Sequence, residues 1–125
     1  MQDNEQAQLI QKYIAAYNAF DVDGMLKLLS PEVRFENWSG AHLTAEGSGI
    51  DQFRQLAEQA LFSEREQRIT AFKQGRDSVI VSIAYRGRLA VDIADGPRAG
   101  TVLDLNGESE FAFDGCLISR IVDRS

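Results

Sequence analysis

Four residues in the first third of the chain are of a type and spacing that could do chemistry. Tyr13 and Tyr17 lie four apart, which puts both phenols on one face of a helix. In an apolar cavity each hydroxyl needs a hydrogen-bond partner, and a ligand oxygen could supply it; the alternative is a pair of core aromatics bonded to backbone or water. Asn37, at the end of the run Phe35-Glu36-Asn37-Trp38, offers a donor and an acceptor suited to orienting a ligand amide or carbonyl, although an ordinary strand end would look the same. His42 is the only histidine, the residue type whose unperturbed imidazole changes charge near neutrality, and is therefore the candidate proton shuttle.

The aromatic residues Trp38, Phe53, Phe72, Tyr85, Phe111 and Phe113 could wall a flat apolar ligand or simply fill a small core. Metal chemistry finds little support, because one histidine and one cysteine leave only scattered carboxylates without ligand spacing. No cofactor motif is present either. Gly47-Ser48-Gly49 lacks the preceding buried strand of a dinucleotide fold and the Gly-Lys-Ser/Thr of a nucleotide loop, so it is read as a turn and cap. Asp92 and Asp104 are out of phase with their apolar neighbours and should face solvent or a partner. No nucleophile elbow or Ser-His-Asp arrangement is evident.

The elements that must position these residues follow from periodicity. Leu9, Ile10, Tyr13, Ile14, Tyr17 and Phe20 have the three-four spacing of an amphipathic helix, predicted from about Asn4 to Phe20. Asp21 caps a short second helix through Leu29, and Ser30-Pro31 ends it before a strand from Val33 to Trp38. Ser39 to Gly49 reads as a loop, with Ser48 and Asp51 as a capping box for a third helix from Ile50 to about Phe62. That helix is expected to bury Ile50, Phe53, Leu56, Ala57, Ala60 and Leu61.

From Glu66 onward the period changes to two. Val79, Val81, Ile83, Tyr85, Leu89, Val91 and Ile93 share one side of a long strand or strand pair, and Asp95-Gly96-Pro97 makes a turn. Leu103, Leu105, Ser109, Phe111 and Phe113 form the next apolar face, and Asp114-Gly115 is a hairpin signal leading to a last strand, Leu117 to Asp123. The fold class is therefore α+β, with three N-terminal helices packed in the concave face of a curved antiparallel sheet.

Composition bounds the rest. A chain of 125 residues with 44% hydrophobic and 26% charged residues is expected to form one domain, residues 1–125. No apolar run approaches the roughly 20 residues of a membrane span, and the first residues lack a signal peptide's basic start and apolar core, which predicts a cytoplasmic location. A net charge of -6 without a basic patch opposes nucleic-acid binding. The single cysteine, Cys116, rules out an intrachain disulfide and reads as a small strand or turn residue.

With its elements in this order the chain resembles the nuclear transport factor 2-like superfamily, which includes ketosteroid isomerases and SnoaL-type polyketide cyclases. The resemblance rests on Tyr13-Ile14-Ala15-Ala16-Tyr17-Asn18, the Asp21 to Leu29 helix, Pro31-Glu32-Val33-Arg34-Phe35, Gly47 ahead of the third helix, and Phe113-Asp114-Gly115. It implies a cystatin-like cone with an apolar cavity open at one end and a homodimer through the outer face of the sheet. It also implies that Tyr13 falls where the isomerases keep an oxyanion donor, that Asn37 replaces their carboxylate base, and that Ser109 replaces their second donor. A neutral amide cannot abstract a proton at pH 7, so classical isomerase activity is not expected.

His42 would lie near the cavity mouth of the resembled fold, as acid or base beside Tyr13. The residues expected to contact a small apolar or aromatic ligand are Tyr13, Tyr17, Asn37, Trp38, Phe53, Ser109 and Phe111. Three functions stay open: a ligand-binding domain, a cofactor-independent isomerase, cyclase or lyase, and a protein-interaction scaffold.

Overall fold

The computed structural model describes residues 3–59 and 62–125. Helix α1 (Asp3–Asn18) is followed by α2 (Val22–Leu26), β1 (Leu29–Ser39), β2 (His42–Ser48), α3 (Ile50–Ala57), β3 (Phe62–Gln74), β4 (Val79–Leu89), β5 (Val102–Asp114) and β6 (Leu117–Arg124). The strands form one six-stranded curved sheet in the order β2-β1-β6-β5-β4-β3. The architecture is α+β, as composition and periodicity require.

The helices form where their signals predict but end sooner: α1 stops at Asn18 rather than Phe20, and α2 at Leu26 rather than Leu29, because Leu29, Ser30 and Pro31 already belong to β1. Ile10, Tyr13 and Ile14 are buried on α1, in keeping with the three-four pattern. Asp21 caps α2 by accepting a hydrogen bond from the Gly24 N–H at 2.9 Å. The third helix is not capped by Ser48 and Asp51. Its N-cap is Gly49 (φ +88°), and Gln52 Oε1 accepts from the Ser48 N–H at 2.8 Å instead. It also ends at Ala57 rather than Phe62, because Phe62 already belongs to β3; Ala60 and Leu61 lie outside the described residues.

The third helix also follows two strands rather than the one expected. Residues expected as a loop, 39–49, contain β2, paired antiparallel with β1 around the turn at Gly40 (φ +58°). An edge strand exposed along most of its length shows no apolar alternation, which is why periodicity missed it. Conversely, the alternation through Val91 and Ile93 does not continue β4. Leu89 N–H bonds to the Thr101 carbonyl at 2.9 Å and Gly100 N–H to Leu89 at 2.8 Å, closing a long hairpin loop. Val91 and Ile93 are about two-fifths exposed within it, at 42% and 38%.

Strands β3 to β6 form the expected antiparallel meander. Between the two ends of the chain, however, β1 pairs with β6 in parallel. That pairing makes one rung of Phe35, Ile121 and Phe111 across β1, β6 and β5, and the next rung on the same face of Asn37, Asp123 and Ser109. The first rung joins Ile10, Tyr13, Ile14, Met25 and Phe53 in the core. The outer face is polar, with ion pairs Arg124–Glu110 at 2.9 Å and Arg86–Asp104 at 3.9 Å. Among the described residues no helix is long and apolar enough to cross a membrane.

Candidate functional site

Helix α1 carries Tyr13 and Tyr17 toward the sheet, and the face they overlook holds two adjoining cavities of about 200 and 320 Å³. The smaller is lined by Tyr13, Phe53, Arg65 and Ile121, and the larger by Trp38, Tyr85, Leu105 and Ser109. Tyr17, Asn37, Phe62, Gln67 and Asp123 line both, so the polar rung forms the floor between them.

Asp123 is the centre of that floor. Ser109 Oγ donates to its Oδ1 at 2.5 Å. On the other side the Asn37 amide nitrogen donates to its Oδ2 at 3.3 Å and to the Glu36 carbonyl at 3.1 Å, the orientation that satisfies all of these groups. Surrounding protein desolvates the carboxyl and pushes its pKa up, while the Ser109 hydrogen bond works in the opposite direction; burial wins. The result is a carboxyl that is held in place by two donors and takes up a proton more readily than an exposed aspartate.

Tyr13 faces this carboxyl from the helix side. Its ring packs edge-on against Phe53 at 6.4 Å and Phe111 at 5.7 Å, and its hydroxyl has no partner among the described residues. Burial raises its pKa well above the usual tyrosine value, followed by the charge of Asp123 and by Tyr17, with Arg65 opposing. The phenol therefore stays protonated and is free to donate. Tyr17 has a partner already, since its hydroxyl donates to the Tyr85 hydroxyl at 3.2 Å. Asn18 extends the anchoring: its amide donates to the Gln67 carbonyl at 3.0 Å and accepts from the Gln67 N–H at 2.7 Å, fixing the end of α1 to strand β3 as a neighbouring strand would.

The structure brings together most of the expected residues. Tyr13, Tyr17, Asn37 and Phe53 meet on the smaller cavity, and Trp38 and Ser109 line the larger. Phe111 is fully buried behind the Tyr13 ring and lines neither. His42 is the exception: it is exposed at the β1–β2 turn, paired with Ser39, and lines neither cavity. The two-residue turn after Ser39 places it on the exposed edge strand β2.

Two residues that bear on the cavity carried no reading in the sequence. Asp123 had a usable signal, because it stands two residues after the core residue Ile121 and so shares its face. The signal was masked by a register shift around Ser119, which puts Ile118 and Ile121 on one face despite odd spacing. Arg65 had none. It precedes the alternating segment and stands where a helix end was expected.

Helices packed against one curved six-stranded sheet in this order are the fold of the nuclear transport factor 2-like class. Within it the chain belongs to the SnoaL-like domain family, which residues 10–121 match. Solved structures agree in fold. One is a protein provisionally described as a polyketide cyclase from Xanthomonas campestris pv. campestris, 20% identical, with a TM-score of 0.81 over 98% of this chain and 90% of that one. TsrD from Streptomyces laurentii is 19% identical, with a TM-score of 0.79 over 98% and 89%. A protein with a ketosteroid isomerase-like fold from Catenulispora acidiphila, crystallised with trimethylamine, is 15% identical, with a TM-score of 0.74 over 92% and 82%. No curated protein matches.

Proposed function

We propose that this SnoaL-like domain binds a small, mainly apolar molecule in the cone and carries out cofactor-independent acid–base chemistry on it, with Asp123 as the base and proton carrier. The observation that carries the reading is a desolvated carboxyl, held by Ser109 and Asn37, on the floor of a cavity that also presents an unpartnered tyrosine hydroxyl. A carbon acid adjacent to a carbonyl fits these groups. The Asp123 carboxylate takes the proton, the electron pair moves onto the carbonyl oxygen, and the Tyr13 hydroxyl donates to the resulting enolate. The protonated Asp123 then returns the proton to another atom of the same molecule, which closes the cycle without a cofactor. That a related fold was crystallised with a small molecule, trimethylamine, is in keeping with a ligand-binding cone.

This assignment relocates the base. Asn37 does not supply one, but it orients one that belongs to the neighbouring strand. The remaining expected contacts, Trp38 and Phe53, serve as apolar walls on either side of the floor.

The test uses a probe reaction that any desolvated carboxylate base can perform. Removal of the C3 proton of 5-nitro-1,2-benzisoxazole breaks its N–O bond and releases the coloured 2-hydroxy-5-nitrobenzonitrile phenolate. Wild-type protein should exceed Asp123→Asn by about 10²–10⁴-fold, with an acid limb above the ordinary carboxylate range. Equal rates for the two proteins would remove Asp123 from the chemistry.

A further inference from the structure

Arg65 is placed with more care than a surface arginine requires. It is half-buried on β3, and its Nε donates at 3.0 Å to the Tyr17 carbonyl in the last turn of α1, which also accepts from the Phe20 N–H. The guanidinium carbon lies 3.8 Å from the centre of the Tyr17 ring and 4.3 Å from that of Phe20. These contacts fix the plane of the group and leave both terminal nitrogens without a partner among the described residues. Arg54, Arg86, Arg88 and Arg124 each have a carboxylate within ion-pair distance. Among the described residues Arg65 has none, as is true of Arg34, Arg68, Arg76, Arg98 and Arg120, but of these arginines Arg65 is the one that lines the smaller cavity, together with Tyr13 and Asp123.

The Phe20 contact comes at a structural cost. Helix α1 ends in a Schellman motif, in which the Asp21 N–H bonds to the Ala16 carbonyl at 2.9 Å and the Phe20 N–H to Tyr17 at 3.1 Å. The residue in the left-handed position of this motif is usually glycine. Here it is Phe20, with φ +58°, a left-handed conformation that crowds the Cβ of any residue but glycine. Its ring is not compensated by burial, since it remains 45% exposed. What the ring does touch is the guanidinium.

We propose that Arg65 is the anion-recognition residue of the cone and that the natural ligand is an apolar or aromatic molecule carrying a carboxylate. A planar guanidinium held in one orientation by two rings presents its free edge for bidentate pairing, which a mobile lysine could not do. An anion entering a cavity walled by Phe53 and Phe62 would otherwise be desolvated without compensation. Asp123 makes the need sharper, because its own negative charge repels an acidic ligand unless a cation stands nearer to the ligand's anionic end. Arg65 thus sets the orientation: carboxylate toward the α1 terminus, reacting carbon toward the floor. The proposal rests on the reading of the cone as a ligand site.

The experiment compares 2-naphthoate with 2-naphthamide, which share a shape and differ in charge, by calorimetric titration of the full chain. Wild-type protein should prefer naphthoate by about tenfold. Arg65→Gln should erase that preference while changing naphthamide affinity less than about twofold, and Arg65→Lys should keep part of it. Phe20→Gly relieves the left-handed strain, so it should fold at least as well as wild type and yet lose several-fold in naphthoate affinity alone. Equal wild-type affinities, or a preference that survives Arg65→Gln, would overturn the proposal. If Arg65→Gln does not fold, Phe20→Gly decides, and an unchanged preference there counts against it. Failure of both compounds to bind would instead remove the cavity as a ligand site, and this proposal with it.

Discussion

Two rungs of the sheet, adjacent on the same face and built from the same three strands, have opposite characters. Phe35, Ile121 and Phe111 are all nearly or fully inaccessible and join the core with Tyr13 and Phe53. One pleat further along, Asn37, Asp123 and Ser109 hold a carboxyl between two donors at a cavity floor. The three strands and their pairing are shared, so the difference lies in the side chains and in what covers them. The apolar rung anchors the tyrosine ring, and the polar rung receives what the tyrosine hydroxyl overlooks. Stability and the proposed chemistry are thus separated by about 7 Å of strand, two residues at the rise of an extended chain.

The separation can be broken most severely at the apolar rung. Phe111→Ala should cost about 3–5 kcal/mol, because Phe111 is fully buried and supports Tyr13 edge-on. Chemical denaturation would show it as a lower midpoint with an unchanged slope; a loss below about 1 kcal/mol would mean that the core rearranges around the site. A substitution on the polar rung should move chemistry instead. Asn37→Asp puts a second carboxyl beside Asp123, and two adjoining carboxylates cannot both ionise readily. The acid limb of benzisoxazole cleavage should shift to higher pH, with roughly tenfold lower activity at pH 6 than wild type. An unshifted limb would indicate that the two side chains do not share the floor. Enone isomerisation is a separate outcome to check in this variant, since it restores a carboxylate at the position where the resemblance to the isomerases puts their base.

The smallest expected effect sharpens the comparison. Ser109→Ala removes the hydrogen bond that opposes desolvation, so the Asp123 pKa should rise further, and stability should fall by about 1 kcal/mol. The sign of the pH dependence follows from the raised carboxyl. Its contribution to stability is intact below the ordinary carboxylate value and is lost as pH climbs through the raised one. Denaturation midpoints of wild type and Ser109→Ala should therefore draw apart between acid and neutral pH. A gap independent of pH would assign the serine to packing.

Much of this arrangement was legible one segment at a time. The three-four spacing of α1 placed Tyr13 and Tyr17 on one face, Asp21 announced the second helix, and Asp114-Gly115 announced the last hairpin, where Gly115 takes φ +61°. These signals are local, because a helix face, a cap or a tight turn is decided within a few residues. Other features carried no such signal. The edge strand β2 has one paired neighbour and little burial, so nothing forces its residues to alternate. His42 drew attention by its chemistry alone, and chemistry does not fix direction.

What the sequence determined by itself, then, was the class of the fold, the helix that presents the tyrosines and the strand end that carries Asn37, since short-range periodicity and turn chemistry suffice for each. Only the tertiary structure decided that β1 and β6 lie side by side in parallel, which sets Asn37 against Asp123 across more than eighty residues of chain. Only it closed the end of α1 over Arg65, with Tyr17 and Phe20 as the clamp. Both depend on non-local pairing. Register between distant strands is chosen by the total burial of the sheet, and the side chains that meet across it leave no pattern in either segment alone.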